Sequence, residues 1–163
     1  MDFPEPTTPI ADEQQVLLGY LDYFRSVLLE KAGGIDVHTS TLPSGWTPAE
    51  LVNHLRHVER RWLEWGFEGQ PLTDPWVDRK GDRWHTTDDL PTLAAHLQQQ
   101  AGITRRIVEA HDLDDVGRPS DRWDGHEPPP LRRVLLHLVQ EYARHVGHLD
   151  VVRELRDGAA GEG

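Results

Sequence analysis

The last third of the chain carries four side chains that could hold a metal ion on one side of a predicted helix. His137, Glu141, His145 and His148 are separated by 4, 4 and 3 residues. Each residue advances a helix by about 100°, so these steps keep all four on one side. That side overlaps the apolar stripe of the helix and therefore points toward a core. Imidazole and carboxylate groups placed there need partners, because an unpaired buried charge is costly.

A second predicted helix supplies matching groups. His54 and His57 are three residues apart, Glu59 follows, and His54 flanks the apolar positions Leu51 and Leu55. Side chains of facing helices commonly hold a metal in the core of a bundle. One histidine from this helix and a Glu-x-x-x-His pair from the last helix make three ligands. Three protein ligands leave one position open, as in catalytic zinc sites.

Less specific interpretations of the same residues stay open. A single histidine is more often a surface group or a hydrogen-bonded core group than a ligand. The Glu141–His145 pair fits a helix-stabilising i,i+4 interaction, or a core hydrogen bond without a metal. We expect the five histidines of the loops and of the polar helix to be solvated: His38, His85, His96, His111 and His126.

Other catalytic arrangements are poorly supported. A di-iron carboxylate bundle needs Glu-x-x-His on two helices, and that spacing does not occur in the sequence. None of the serines lies in a Gly-x-Ser-x-Gly elbow, and there is no glycine-rich phosphate loop.

The composition narrows the chemistry further. A length of 163 residues is that of one domain with a sizeable core. The chain has ten histidines but no cysteine, which excludes disulfides, cysteine zinc fingers, iron–sulfur clusters and a cysteine nucleophile. Any thiol that reacts here must come from outside the chain.

Charge and hydropathy limit the partners. The net charge of −11 repels phosphate backbones and anionic membrane surfaces, so we expect neither nucleic acid nor membrane as a partner. The first residues have no basic and apolar signal pattern, and no apolar run approaches the roughly 20 residues of a membrane span. We therefore expect a cytoplasmic protein.

The periodicity of apolar residues predicts an all-α fold, a four-helix bundle with two longer connecting loops. Thr47 and Glu50 form a capping box before the second helix, and Thr87 or Asp88 is the expected cap of the third. We expect a flexible lead-in over 1–10, one domain over 11–158 and a flexible tail over 159–163. The predicted helices span 11–32, 48–69, 89–112 and 131–156, and the long connections span 69–88 and 113–130.

The six tryptophans are interpreted as anchors of the core and the loops. For three of those in the connections, the alternative is that they line the mouth of a pocket. A connection as long as 69–88 is usually functional in a compact domain. The six are Trp46, Trp62, Trp65, Trp76, Trp84 and Trp123, of which Trp76, Trp84 and Trp123 are the possible lining residues.

Three segments of this chain resemble the DinB-like superfamily of metal-binding four-helix bundles. TPAELVNHLRHVERRWLEWGFEG resembles its second helix, DLDDVGRP the entry to its last helix, and LRRVLLHLVQEYARHVGHLDVVRELRDG the last helix itself. The pattern Glu-x-x-x-His-x-Gly-His-x-Asp is similar to the branch of mycothiol S-transferase-like proteins. The resemblance covers nearly the whole chain.

The resemblance implies a ligand set. Many members of the superfamily use three histidines, whereas the related mycothiol-dependent maleylpyruvate isomerases have glutamate at the position of Glu141. By position, the implied ligands of a divalent metal are His54, Glu141 and His145, with zinc favoured and nickel or another ion possible. His148 falls where many members have glutamine, which implies a place beside the ligands or in the pocket wall.

The resemblance also implies a reaction. The metal would activate a low-molecular-weight thiol such as mycothiol, which would attack a small electrophilic substrate. The implied groups that orient ligands or move protons are His57, Glu59 and His148. Two alternatives remain, a metal-dependent hydrolase on the same site and a non-enzymatic metal- or small-molecule-binding stress-response protein. Monomer and homodimer are both compatible with the sequence.

Overall fold

The structure is a computed structural model in which residues 4–9 and 12–158 are described. It confirms the predicted all-α bundle. The predicted lead-in is described only at residues 4–9, and the predicted tail, 159–163, lies outside the described residues. The helices are α1 (Glu13–Ala32), α2 (Pro48–Arg60), α3 (Leu90–Glu109) and α4 (Leu131–Asp157).

Side-chain caps fix where the helices begin. Asp12 accepts a hydrogen bond from the backbone N–H of Gln14, so α1 begins two residues later than predicted. The capping box of Thr47 and Glu50 is present as predicted. The cap of α3 was predicted wrongly, because Asp89 rather than Thr87 or Asp88 accepts from Thr92.

The four helices bury one continuous apolar core. Helix α1 packs most extensively on α4, and α2 on α3. Leucine dominates the fully buried positions, which lie on all four helices. The apolar stripe of α4 contributes Leu131, Val134, Leu138, Tyr142, Leu149 and Val152 to this core.

A polar network is buried within the core and joins all four helices. The carboxylate of Glu59 on α2 accepts hydrogen bonds from Arg25 on α1 at 2.7 and 2.9 Å. It also accepts from the Thr104 hydroxyl on α3 at 2.6 Å and from the Tyr142 hydroxyl on α4. Because Glu59 is fully buried, these four donors offset the cost of removing its charge from water.

The second predicted helix continues beyond α2 in wider turns. Residues Arg61–Phe67 form a π-helix, shown by a hydrogen bond from Glu68 N–H to the Leu63 carbonyl five residues earlier. Gly66 lies against the indole of Trp123, and an added Cβ would stand only 3.0 Å from that ring. The sequence predicted the helical extent but not the change of pitch.

The first long connection packs on α2, and the second packs on the π-helix that continues it. In the first, β1 (Arg79–Lys80) and β2 (Arg83–Trp84) form a small antiparallel hairpin turning at Gly81, whose φ is 63°. In the second, Asp121–Trp123 form a 3₁₀ turn that packs on the π-helix. No helix of the described part of the chain is long and apolar enough to cross a membrane.

Candidate metal centre

The structure brings together the three residues that the resemblance implied as ligands. His54 of α2 meets Glu141 and His145, which lie one turn apart on α4. One ligand atom from each residue falls within 4.8 Å of the others. Both histidines are buried and Glu141 is half-buried, so the group lies between the helices rather than on an exposed face.

Burial and hydrogen bonding favour, in His54 and Glu141, the protonation states that a metal needs. Burial lowers the pKa of His54, so its ring is neutral at neutral pH. A hydrogen bond from His145, whose Nε2 lies 3.4 Å from Glu141 Oε2, lowers the pKa of Glu141 despite its partial burial. A neutral imidazole and an ionised carboxylate are the forms that coordinate divalent ions.

The chemistry of the donor set fits such an ion. Nδ1 of His145 is buried and has no hydrogen-bond partner among the described residues. Buried polar groups are generally satisfied within a protein, so this ring fits a partner from outside the chain. Two imidazoles and one carboxylate are a common donor set for catalytic zinc.

A carboxylate that the sequence did not single out lies directly behind His54. Asp78 Oδ2 is 3.2 Å from Nδ1 of His54, and the side chain of Asp78 is fully buried. Arg61 donates to both of its oxygens, at 2.6 and 3.3 Å. Burial alone would raise the pKa of Asp78, but the hydrogen bonds from His54 and Arg61 outweigh it and hold that pKa far below its usual range.

An aromatic side chain covers His54. The ring of Trp84 stacks on it with centroids 4.0 Å apart and meets the ring of His145 edge-on at 5.5 Å. Trp46 packs behind Trp84 at 6.4 Å. A cavity of about 170 Å³ adjoins this pair and is lined by Ser44, Trp46, Glu50, Asp82, Arg83 and Trp84.

Trp76 and Trp123, the other two candidates for pocket lining, have surroundings different from those of Trp84. Trp123 is buried and packs against Trp62 at 5.9 Å, as an anchor does. Trp76 is 41% exposed and contacts the guanidinium groups of Arg61 and Arg79, each 4.5 Å from its ring centroid.

His137 and His148 flank the three-residue group on α4. Nε2 of His137 lies 3.7 Å from Glu141, and its ring packs on Trp62 at 4.3 Å. His148 is exposed, with its ring 5.6 Å from that of His145. Burial lowers the pKa of both histidines, and His145 adds to the effect on His148.

His57 and Glu59, the other two residues expected to orient ligands or move protons, have different surroundings. His57 is 3% exposed, its Nδ1 has no hydrogen-bond partner in the described part of the chain, and burial lowers its pKa to about 4. Glu59 is five residues beyond His54, which turns it about 140° around the helix. It points into the buried network with Arg25, Thr104 and Tyr142, so the structure gives it a part in the core.

The expectation of five solvated histidines was wrong for His111. His38, His85 and His126 are exposed and the side chain of His96 is 40% exposed, whereas His111 is half-buried. His111 packs edge-on against Phe67 at 5.1 Å and its Nδ1 lies 2.9 Å from the Ile107 carbonyl. Tertiary packing just beyond the C-terminal end of α3 buries a ring that the local polarity placed in solvent.

Fold and site together define a DinB-like helical bundle with a His–Glu–His group between two helices. The chain belongs to the mycothiol-S-transferase family, whose family model matches residues 16–158. This membership points to a mycothiol-dependent transferase. No curated protein and no solved structure gave a match.

Proposed function

We propose that this protein is a metal-dependent S-transferase that joins mycothiol to a small electrophilic substrate. The observation that carries the proposal is the convergence of His54, Glu141 and His145 in a chain of the mycothiol-S-transferase family. The absence of cysteine agrees with a thiol supplied as a cosubstrate. We place the reaction in the cytoplasm, with the chain acting as a monomer or a homodimer.

The three residues would hold a divalent ion, with zinc as the first candidate and nickel as the second. Such an ion lowers the pKa of a bound thiol from its free value of about 8.5, which makes the nucleophile available at neutral pH. In transfer to a chlorodinitrobenzene, the sulfur would form a bond to the ring carbon that carries chlorine, the C–Cl bond would break with release of chloride, and the thiol proton would pass to a base.

The chain's own residues contribute orientation, shielding and a proton acceptor. Asp78 holds Nδ1 of His54, and Trp84 shields the face of that ring from water. His148 is exposed beside His145, and its lowered pKa leaves its ring neutral and able to accept the proton that the thiol releases. Substrate would reach the site past the hairpin and the connection 113–130.

The test is a conjugation assay with mycothiol and a chlorodinitrobenzene, using zinc-loaded protein. We expect product only when thiol is present, loss of product with a chelator, and recovery when zinc or nickel is restored. His145→Ala should abolish transfer, whereas His38→Ala, at an exposed loop position, should retain it.

Two outcomes would overturn the proposal. Equal rates with and without mycothiol would exclude thiol transfer and support metal-assisted hydrolysis at the same residues. Metal binding without turnover of any tested electrophile would support a binding protein instead.

A further inference from the structure

We infer that Asp78 is a positioning residue that fixes the tautomer and the orientation of His54. The inference rests on the proposed function only where it concerns metal affinity. The tautomer itself is a property of the metal-free chain and can be measured independently.

The contacts of Asp78 leave one consistent hydrogen-bonding pattern. An ionised carboxylate can only accept hydrogen bonds, and its Oδ2 lies 3.2 Å from Nδ1 of His54. In a neutral imidazole one nitrogen carries the proton and the other carries a lone pair. Nδ1 of His54 must therefore be the donor, which leaves the lone pair of Nε2 for a ligand.

Arg61 keeps the Asp78 carboxylate ionised and in place. It lies seven residues after His54, two helical turns along the same face, so one carboxylate can bridge both side chains. Its guanidinium donates to both oxygens of Asp78 and also to the Pro75 carbonyl at 3.1 Å. The connection 69–88 is thereby tied to the helix that carries His54.

Stacking removes the remaining freedom of the ring. Trp84, from the same connection, lies nearly parallel to His54, with 18° between the two planes. A flip of the imidazole would bring a carbon to Asp78 and lose the hydrogen bond of a fully buried carboxylate. One connection thus supplies both the group that holds the edge of the ring and the group that holds its face.

If Asp78 only tied the connection to Arg61, replacing it with the neutral isostere asparagine would not move the proton on His54. The experiment therefore compares the positions of the histidine protons in metal-free wild-type protein and Asp78→Asn by long-range ¹H–¹⁵N NMR at pH 8. Asp82→Asn is the control, because it removes an exposed carboxylate from the same connection.

We expect the proton of His54 on Nδ1 in the wild type and in Asp82→Asn, and a mixture or the Nε2–H form in Asp78→Asn. Zinc affinity should fall about 10- to 100-fold in Asp78→Asn alone, as is typical for loss of a group that orients a ligand. Trp76→Leu tests the structural explanation, because it loosens the same connection at Arg61 without touching Asp78 or His54.

Each unfavourable result has a distinct meaning. Wild-type protein with the proton on Nε2 overturns the inference whether or not Asp78→Asn folds. So does an Asp78→Asn variant with unchanged tautomer and zinc affinity, or a Trp76→Leu variant that loses as much affinity. Wild-type protein with the expected tautomer but no metal binding would overturn the proposed function and leave the positioning of His54 intact.

Discussion

The indole of Trp84 lies 4.0 Å from the imidazole of His54, nearly parallel to it. One ring belongs to a hairpin in a long connection and the other to a helix, thirty residues apart in the sequence. The stack brings a fluorescent side chain into direct contact with one of the three proposed ligands. Occupation of the site should therefore be visible in the emission of this tryptophan.

Zinc or nickel titrated into metal-free protein is expected to change tryptophan emission. Trp84→Phe should remove most of that change, because Trp84 contacts both His54 and His145. Trp65→Phe should retain it and serves as the control for lost emission. A signal that persists in Trp84→Phe would mean that the ion binds elsewhere.

The three-residue group predicts the metal content of purified variants. Wild-type protein loaded with zinc should hold about one ion per chain by elemental analysis after desalting. His54→Ala and His145→Ala should lose it, since each removes one of the three donors that the described residues bring together. His126→Ala, at an exposed position, should match the wild type. Wild-type protein that retains neither added zinc nor added nickel would rule the site out.

His57 predicts a loss of stability in mild acid. Burial lowers its pKa to about 4 from an ordinary value of 6.5, with the charges of Arg56, Arg60 and Arg61 acting in the same direction and Asp78 opposing them. The unfolded chain binds a proton there more readily than the folded chain. The free energy of unfolding is therefore at its full value above about pH 6.5. It falls by about 2 to 3 kcal/mol as the pH decreases toward 4.

Denaturant unfolding in the presence of a chelator measures this effect without interference from metal release. His57→Leu should have a shallower dependence of unfolding free energy on pH between 6.5 and 4. His38→Gln, at an exposed position, should keep the wild-type slope. Identical slopes in wild type and His57→Leu would show that His57 is not protonated on unfolding.

Two glycines predict opposite effects of the same substitution. A Cβ at Gly66 would stand 3.0 Å from Trp123 and 3.2 Å from the Arg61 carbonyl, so Gly66→Ala should destabilise the protein by about 1 to 3 kcal/mol. A Cβ at Gly102 in α3 would meet no atom of the described residues within 4 Å, so Gly102→Ala should stabilise the protein by about 0.5 to 1 kcal/mol. Shifts of the same sign in denaturant unfolding would contradict this packing.

Much of the fold follows from local sequence rules, because helix periodicity and caps act over a few residues. The bounds of α4 and the capping box before α2 are examples. The π-helix is different, since nothing in RWLEWGF marks a change of pitch. The π-helix packs on Trp123, whose ring lies against Gly66 although the two residues are more than fifty positions apart in the sequence.

The candidate site was likewise predictable only in part. Spacing on α4 placed Glu141 and His145 on one face, and the resemblance added His54. Asp78 could not be distinguished from Asp74 or Asp82 in its connection, because only the folded chain shows which carboxylate reaches Arg61. Glu59 is a different case, since its rotation of about 140° away from His54 around the helix follows from the sequence numbering alone.

Tyr142 follows Glu141 directly in α4, so the two side chains leave the helix about 100° apart. Glu141 faces His145, whereas Tyr142 is fastened to Glu59, which shares its helix with His54. The buried network therefore fixes the rotation of α2 and α4 about their own axes. This rotation determines the angle at which the ligand side chains approach one another. The loops around the site can change in shape and composition while that angle is kept.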